Sequence, residues 1–158
     1  MKIEKIILSA GATGDKLVKA MKLLKIVSGK QPAKCKARKR IPAFNIRPGL
    51  EIGCKVTIRK NTHELLNRLL EAVNRQLKKK QIQDNCFSFG IHEYIEIPGT
   101  EYQRDIGIMG FDITVVFTRQ GRRVKIKKIK RGKIPIKQNV SKEEIINFME
   151  KNFNVEIK

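Results

Sequence analysis

The sequence predicts an α+β protein in which one antiparallel-rich sheet is backed by helices. Segments that alternate apolar and polar residues are interspersed with segments whose apolar residues recur at the spacing of a helix. Alternating strands have one buried and one solvated face, which is typical of antiparallel sheets and argues against a doubly wound parallel sheet. With 158 residues, 41% of them apolar, the chain suits a single domain with a real core.

The first segment predicts a strand and then a helix. Residues 2–9 are rich in apolar side chains and are followed by Gly11 and Gly14, so we expect a strand there. Residues 15–27 combine an apolar face with a lysine face and stop at Gly29, which predicts an amphipathic helix. The lysine face is either simply solvated or a contact for RNA, and it consists of Lys16, Lys19, Lys22 and Lys25.

Residues 34–59 divide into an irregular part and a strand. Residues 34–50 are basic and contain two prolines, which disfavour regular structure. Residues 51–59 alternate cleanly, which predicts a half-buried strand with a positive polar face. The apolar face consists of Ile52, Cys54, Val56 and Ile58, and the polar face of Lys55, Thr57 and Arg59.

A second helix is predicted after residue 60. Asn61 and Glu64 have the spacing of a capping box. Inward-facing residues follow at the helical spacing, and the lysines at 78–80 suit the negative end of a helix dipole. The inward set is Leu65, Leu66, Leu69, Leu70, Val73 and Leu77.

The second half of the chain predicts further strands and a last helix. Residues 87–97 form one or two strands in this interpretation, and residues 111–117 form another. Residues 119–137, here called the basic segment, have too few apolar side chains for a buried element, so we expect a loop or an extended hairpin. Ser141 and Glu144 form a capping box for the last helix, whose inward residues are Ile145, Phe148, Met149 and Phe153.

The charge of the chain points to a polyanionic partner. The 35 basic and 15 acidic residues give a formal net charge of +20, and the basic segment holds ten Lys or Arg and no acid. Nucleic acid is the favoured polyanion, because Lys and Arg release its condensed counterions. The apolar runs are too short to span a membrane, and no helix concentrates the charge as a lipid anchor does.

No constellation for catalysis or metal binding stands out. The three cysteines form no CxxC motif and are expected to be free thiols, with Cys54 and Cys86 in the core. His92 and Glu93 could be cast as a nuclease pair, but adjacent strand residues point to opposite faces. The turn at residues 11–15 lacks the phosphate-loop spacings and is either a plain helix cap or a place for an RNA phosphate. We expect no enzyme activity, no cofactor and no metal.

Three long segments resemble a known family. Residues 28–60 resemble the core signature of universal large-subunit ribosomal protein five, and they read SGKQPAKCKARKRIPAFNIRPGLEIGCKVTIRK. Residues 90–117 are similar to the second signature, and they read GIHEYIEIPGTEYQRDIGIMGFDITVVF. Residues 122–157 resemble the archaeal and eukaryotic branch, called large-subunit protein eleven in eukaryotes, and they read RRVKIKKIKRGKIPIKQNVSKEEIINFMEKNFNVEI. The three segments occur in the correct order and cover nearly the whole chain.

The resemblance implies a concave sheet and a place in the central protuberance of the large ribosomal subunit. It implies binding to 5S rRNA beside the other 5S-binding ribosomal protein, and contact with the large-subunit rRNA. It further implies that residues 38–50 reach toward the peptidyl-site tRNA. The tRNA-facing residues would be Arg38, Lys39, Arg40, Asn45 and Arg47.

The rRNA-binding residues fall into two groups. By the resemblance, the 5S surface consists of Ser9, Gln31, Lys55, Thr57 and Arg59. The basic segment adds Arg122, Arg123, Lys125, Lys127, Lys128, Lys130 and Arg131. We expect one RNA-binding domain over residues 1–158, with residues 38–50 and 119–137 mobile before RNA binds.

The leading interpretation is a structural ribosomal protein of the cytoplasm, which passes through the nucleolus during assembly if the source is eukaryotic. The alternative is a general basic RNA chaperone or double-stranded-RNA-binding protein, which would bind unrelated RNAs as tightly as 5S rRNA. A small nuclease would need turnover that is lost on His92→Ala. Neither a membrane nor DNA is expected as a partner, since zinc-finger signatures and zipper heptads are absent.

Overall fold

The computed structural model describes all 158 residues and has a mixed α+β architecture. The strands are β1 (Lys2–Gly11), β2 (Ala33–Lys36), β3 (Glu51–Ile58), β4 (Gln76–Leu77), β5 (Ile82–Gln83), β6 (Cys86–Ile91), β7 (Phe111–Thr118) and β8 (Glu156–Ile157). The helices are α1 (Asp15–Ser28), α2 (Thr62–Glu71), α3 (Arg123–Ile126) and α4 (Lys142–Phe153). Six strands form a mostly antiparallel sheet in the order β2-β3-β1-β7-β6-β5, and β4 and β8 form a parallel pair. The predicted α+β class and antiparallel-rich sheet are confirmed.

Contacts within the chain define two compact units. One unit comprises Met1–Ile6, Arg59–Phe89 and Thr114–Lys158, and the other comprises Ile7–Ile58 and Gly90–Ile113. The prediction of one RNA-binding domain over the whole chain stays a prediction. No helix is both long and apolar enough to cross a membrane.

Helix α1 lies in the unit that contains residues 7–58, where it packs against β3. Its apolar face is buried, and its four lysines are exposed, as the sequence predicts. Gly29 ends the helix with a left-handed φ of 65°, a conformation that costs glycine little, and its N–H donates to the Lys25 carbonyl oxygen at 2.8 Å. The buried residues are Leu17, Ala20, Leu23, Leu24 and Val27.

Gly53 sits where β3 passes close to β1. A Cβ at this position would lie 2.7 Å from the carbonyl oxygen of Ala10. Because the crowding atom belongs to the backbone, no side-chain rotation can relieve it. The two strands are further joined by the N–H of Ala12, which donates to the Ile52 carbonyl oxygen at 3.1 Å. The absence of a side chain at Gly53 therefore sets the spacing of β1 and β3.

The second predicted helix is shorter than its apolar pattern indicates. Helix α2 ends at Glu71, and Leu77 is buried in β4, where it pairs with Ile157 of β8. The physical reason is local, because Asn74 and Arg75 both adopt left-handed φ angles of 53° and 54° that a helix cannot contain. The interpretation of residues 78–80 as a helix C-terminus is wrong, since they follow a strand.

Two further expectations need correction. Asn61 has a left-handed φ of 53° and its side chain accepts no capping hydrogen bond, so the predicted capping box is wrong. The strand predicted at residues 87–97 is β6 and ends at Ile91, and Tyr94–Glu96 forms a 3-10 turn. In this turn Tyr94 is buried and its hydroxyl oxygen accepts from the N–H of Gln103 at 2.8 Å, which explains its departure from strand geometry.

The predictions for β1, β3, β7 and the last helix are confirmed. Ser141 caps α4, and its Oγ accepts from the Glu144 N–H at 3.4 Å. Ile145, Met149 and Phe153 are buried on the inner face of this helix. Phe148 is half-buried and meets Phe117 of β7 edge-on, with ring centroids 5.7 Å apart.

The three cysteines are free thiols, and they differ in environment. Cys54 is buried as predicted, whereas Cys35 and Cys86 are only partly buried. Burial raises the pKa of the Cys54 thiol above its ordinary value, and the neighbouring Cys35 raises it further. No cluster of His, Cys, Asp and Glu has the composition of a metal site.

We predict that Cys54 reacts with an aromatic disulfide reagent at pH 8 more slowly than Cys35 and Cys86. Because the pKa of Cys54 is raised, its thiolate is scarce at this pH, and the folded chain shields it. The sign for stability follows from the same shift. Below the ordinary thiol pKa of about 8.5 both states are neutral, and above it the unfolded chain ionises first, so stability falls. Equal reaction rates for all three thiols in the native protein would contradict this.

Candidate nucleic-acid interface

The outward face of β3 carries the predicted positive residues. Lys55 is exposed and Thr57 is half-buried, while the alternate residues Cys54, Val56 and Ile58 are buried. The exposed Arg59 follows directly after the end of β3. The alternation predicted from the sequence is therefore confirmed, although the assignment of these residues to an RNA contact stays a prediction.

Neighbouring strands extend this outward face. In β1, Ser9 is half-buried between the buried residues Leu8 and Ala10, so its side chain lies on the side of the sheet away from the core. In β2, Ala33 lies opposite Lys55 in an antiparallel register. The exposed Gln31, two residues before Ala33, therefore lies toward the Thr57 end of β3. We call Ser9, Gln31, Lys55, Thr57 and Arg59 the β3 surface.

Residues 38–50 form a closed hairpin rather than the irregular stretch expected. Ile41 and Ile46 exchange backbone hydrogen bonds of 3.0 and 3.1 Å, and Pro42–Phe44 forms a 3-10 turn between them. At the base of the hairpin, the N–H of Ala37 donates to the Leu50 carbonyl oxygen at 2.8 Å. The predicted tRNA-facing side chains are all exposed: Arg38, Lys39, Arg40, Asn45 and Arg47.

Phe44 is the residue of this hairpin that the sequence analysis missed. Its side chain is 75% exposed at the tip, next to Asn45, which takes a left-handed φ of 52° and whose N–H donates to Pro42 at 3.0 Å. A large aromatic ring exposed in this way on a hydrogen-bonded turn is available to a partner. The signal in the sequence was a lone aromatic residue within a basic stretch that has no apolar periodicity.

The basic segment contains a short helical turn instead of being a simple loop. Helix α3 spans Arg123–Ile126, and the N–H of Gly132 returns to the Val124 carbonyl oxygen at 3.1 Å. Its cations project into solvent from this small folded loop. The exposed predicted residues are Arg123, Lys125, Lys127, Lys128, Lys130 and Arg131.

Arg122 has a different environment from the other predicted rRNA-binding residues. Its guanidinium forms an ion pair with Glu4 in β1, and the two side chains are only 32% and 19% exposed. Arg119, at the start of the segment, is held in the same way by Glu144, whose carboxylate oxygens lie 2.6 and 2.7 Å from one guanidinium nitrogen. Both arginines therefore have carboxylate partners within the chain.

We predict that Arg122→Ala lowers the free energy of unfolding by about 1–3 kcal/mol, the range for hydrogen bonds to charged groups. The substitution leaves the mostly buried carboxylate of Glu4 without its cation. Arg123→Ala is the matched control, because Arg123 is exposed and its loss should cost less than about 0.5 kcal/mol. Urea unfolding of the two variants measures the difference, and equal midpoints would show that the Glu4 pair contributes nothing.

The remaining candidates assemble no catalytic site. His92 and Glu93 are both exposed and lie after the end of β6, not within a strand as predicted. The turn before α1 places Gly14 at the helix N-terminus with a left-handed φ of 60° and without a side-chain cap.

Comparison with known proteins identifies the family. Residues 51–148 match the family model for the C-terminus of ribosomal uL5 proteins. Large ribosomal subunit protein uL5 of Nanoarchaeum equitans is 41% identical over 99% of this chain and 95% of its own. The uL5 of Methanoregula boonei is 39% identical over 99% and 97%, and that of Sulfolobus acidocaldarius is 41% identical over 95% and 85%. The chain belongs to the uL5 family, in its archaeal branch.

Membership of the uL5 family confirms the resemblance of the three segments and the general role expected from it. A uL5 protein is a structural, non-enzymatic constituent of the large ribosomal subunit and associates there with rRNA. The nuclease interpretation of His92 is therefore set aside. Location on the ribosome follows as well, whereas passage through a nucleolus stays a prediction that concerns eukaryotes only.

Proposed function

We propose that this uL5 protein binds 5S rRNA through the β3 surface, in the central protuberance and beside the other 5S-binding ribosomal protein. The observation that carries the proposal is the clean division of β3, which directs Lys55 and Thr57 away from the core side occupied by Cys54 and Val56. Such a surface offers cations and hydroxyls over a sheet face, which suits the backbone of a folded RNA.

Recognition through this surface would depend on RNA shape. Lys55 and Arg59 supply charge that positions phosphates but carries no sequence information. The hydroxyls of Ser9 and Thr57 can both donate and accept, so they suit 2′-hydroxyl and base-edge groups in the shallow minor groove of an RNA helix. Specificity for 5S rRNA then comes from the match between its fold and the position of these few polar groups.

Hydroxyl-radical footprinting of 5S rRNA tests the proposal. Wild-type protein should protect one continuous region of the RNA backbone, and an excess of tRNA should not remove that protection. Protection spread evenly along the RNA, and lost to any competitor, would favour a general RNA chaperone or double-stranded-RNA-binding protein. The basic segment is proposed to contact the large-subunit rRNA, so the same footprint on that RNA should weaken when its exposed lysines are replaced.

We propose further that the 38–50 hairpin contacts the peptidyl-site tRNA. Its support is the projection of Arg38, Lys39, Arg40 and Arg47 from a hairpin that is closed by its own backbone hydrogen bonds. None of these four side chains forms an ion pair within the chain, so all are available to phosphates.

We predict that Phe44→Ala weakens the binding of tRNA to the peptidyl site, because an exposed ring at the tip can stack on a base or pack on a ribose. Stacking of a base on an aromatic side chain contributes about 1–3 kcal/mol. The salt dependence of tRNA binding should not change, since no charge is lost, and Phe44→Trp should retain the affinity. Filter binding of labelled tRNA to large subunits that carry each variant measures this. Equal affinities for wild type and Phe44→Ala would exclude a contact through the ring.

A further inference from the structure

A pocket of about 260 Å³ lies between the end of β7 and the basic segment, within the unit that contains residues 114–158. Neither the β3 surface nor the 38–50 hairpin contributes to it. The side chains that the argument uses are Arg119, Gln120, Lys125, Ile136, Gln138 and Asn139. We call it the amide pocket because of its carboxamide side chains.

Three carboxamides in the lining have no structural task. Gln120, Gln138 and Asn139 are exposed, and their side chains make no hydrogen bonds within the chain. A fourth, Asn85, is used structurally, because its Oδ1 accepts from the Val140 N–H at 2.8 Å. Each free carboxamide offers two donors and an acceptor. Groups of this kind are complementary to the edge of a nucleobase, with which Asn and Gln form paired hydrogen bonds.

The arginines of the pocket are held in place by acids of the chain. Glu144 binds Arg119 at 2.6 and 2.7 Å, and Glu4 binds Arg122. In a chain with 15 acidic residues against 35 basic ones, two acids serve this single site. An arginine whose charge is already matched gains little from a phosphate, but its guanidinium is fixed as a planar surface. RNA bases stack on such planes as they do on aromatic rings.

The rim of the pocket supplies a free cation and an apolar wall. Lys125 is exposed and has no carboxylate partner, so it is available to a phosphate. Ile136 is 86% exposed, and Ile134 beside it is half-buried. At about 260 Å³ the pocket is smaller than the sites of drug-sized ligands, which occupy roughly 300–1,000 Å³, and this suits one base and not a dinucleotide.

We propose that the amide pocket binds a single nucleotide unit. The carboxamides of Gln120, Gln138 and Asn139 take the base edge, the Arg119 guanidinium and Ile136 take its faces, and Lys125 takes the phosphate. The expected source is an unstacked nucleotide of ribosomal RNA, since unpaired bases are the usual targets of base-specific RNA recognition. The proposal rests on the RNA-binding role of the family and is independent of the 5S contact at the β3 surface.

Zero-length ultraviolet crosslinking to purified 5S and large-subunit rRNA, followed by peptide mass spectrometry, tests the proposal. We expect nucleotide adducts on residues 119–125 or 134–139. The variant Gln120→Leu/Gln138→Leu should lower their yield about tenfold, within the discrimination given by a paired hydrogen-bond contact. Gln83→Leu is the matched control, because Gln83 is an exposed glutamine in β5 outside the pocket, and it should have no effect.

A second arm separates the two sources of a nucleotide. Each of the four nucleoside monophosphates is titrated into the protein without RNA, and the amide resonances of residues 119–139 are followed by NMR. Shifts that saturate, and that are absent in the double variant, identify a free nucleotide as a ligand of the same pocket. Absence of both adducts and shifts, or adducts that survive in the double variant, would overturn the proposal. The salt dependence of 5S binding should be the same in all these variants, since none changes the charge.

Discussion

Replacement of Lys55 and Arg59 by alanine is expected to weaken 5S binding and to flatten its dependence on salt. Each phosphate neutralised on an RNA duplex contributes about 0.9 to the slope of log affinity against log salt, so removal of two contacts should reduce the slope by about 1.8. The two side chains are exposed at and just beyond the end of β3. Their loss should leave the melting temperature unchanged within about 0.5 kcal/mol of stability, as for surface positions in general.

The control for this experiment removes the same charge elsewhere. Lys79 and Lys80 are exposed in the 3-10 turn that follows β4, and they belong to neither proposed RNA contact. Lys79→Ala/Lys80→Ala should leave the slope near the wild-type value. If both double variants flatten the slope equally, binding depends on net charge alone, and the β3 surface has no special place in it.

Substitution of Gly53 by alanine is expected to cost the fold about 1–3 kcal/mol, the range for atoms forced into a packed site. The added Cβ would lie 2.7 Å from the Ala10 carbonyl oxygen, so β1 and β3 must separate. In a chain of this size the melting temperature should fall by about 2–4 °C for each kcal/mol. Because the same two strands carry Ser9 and Lys55, the displacement should also weaken 5S binding more than an equal loss of stability elsewhere.

Gly11→Ala is the matched control in the neighbouring strand. A Cβ at Gly11 would meet no atom within 4 Å, and its φ lies outside the left-handed region. The substitution should be neutral or stabilising by up to about 1 kcal/mol, because alanine restricts the unfolded chain. Thermal unfolding of the pair decides the matter, and equal melting temperatures would show that β1 and β3 can separate without cost.

Elements with strong local signals were predictable from the sequence. The alternation of β3 and the capping box at Ser141 define these elements from neighbouring residues alone, and the structure contains both. The end of α2 was not predictable in this way. The apolar pattern continues through Leu77, but its burial there comes from pairing with Ile157, far along the chain. A periodic pattern records that a side chain is buried and does not record which partner buries it.

The candidate sites show the same limit. Composition identifies the basic segment, yet it cannot tell that Arg122 lies against Glu4 while Arg123 points into solvent. That distinction depends on which strand the segment approaches. Phe44 was missed for a related reason, because a phenylalanine is expected to be buried, and its exposure follows only from the closed hairpin around it.

The measurement that tests the central claim most directly is the affinity of the protein for purified 5S rRNA and for a control RNA of equal length across a salt series. Both affinities should fall steeply, since the chain carries a net charge of +20. The account predicts that a preference for 5S rRNA persists at high salt, where shape and polar contacts outlast the ionic attraction. Affinities that remain equal and vanish together would contradict it and would leave a general basic RNA-binding protein.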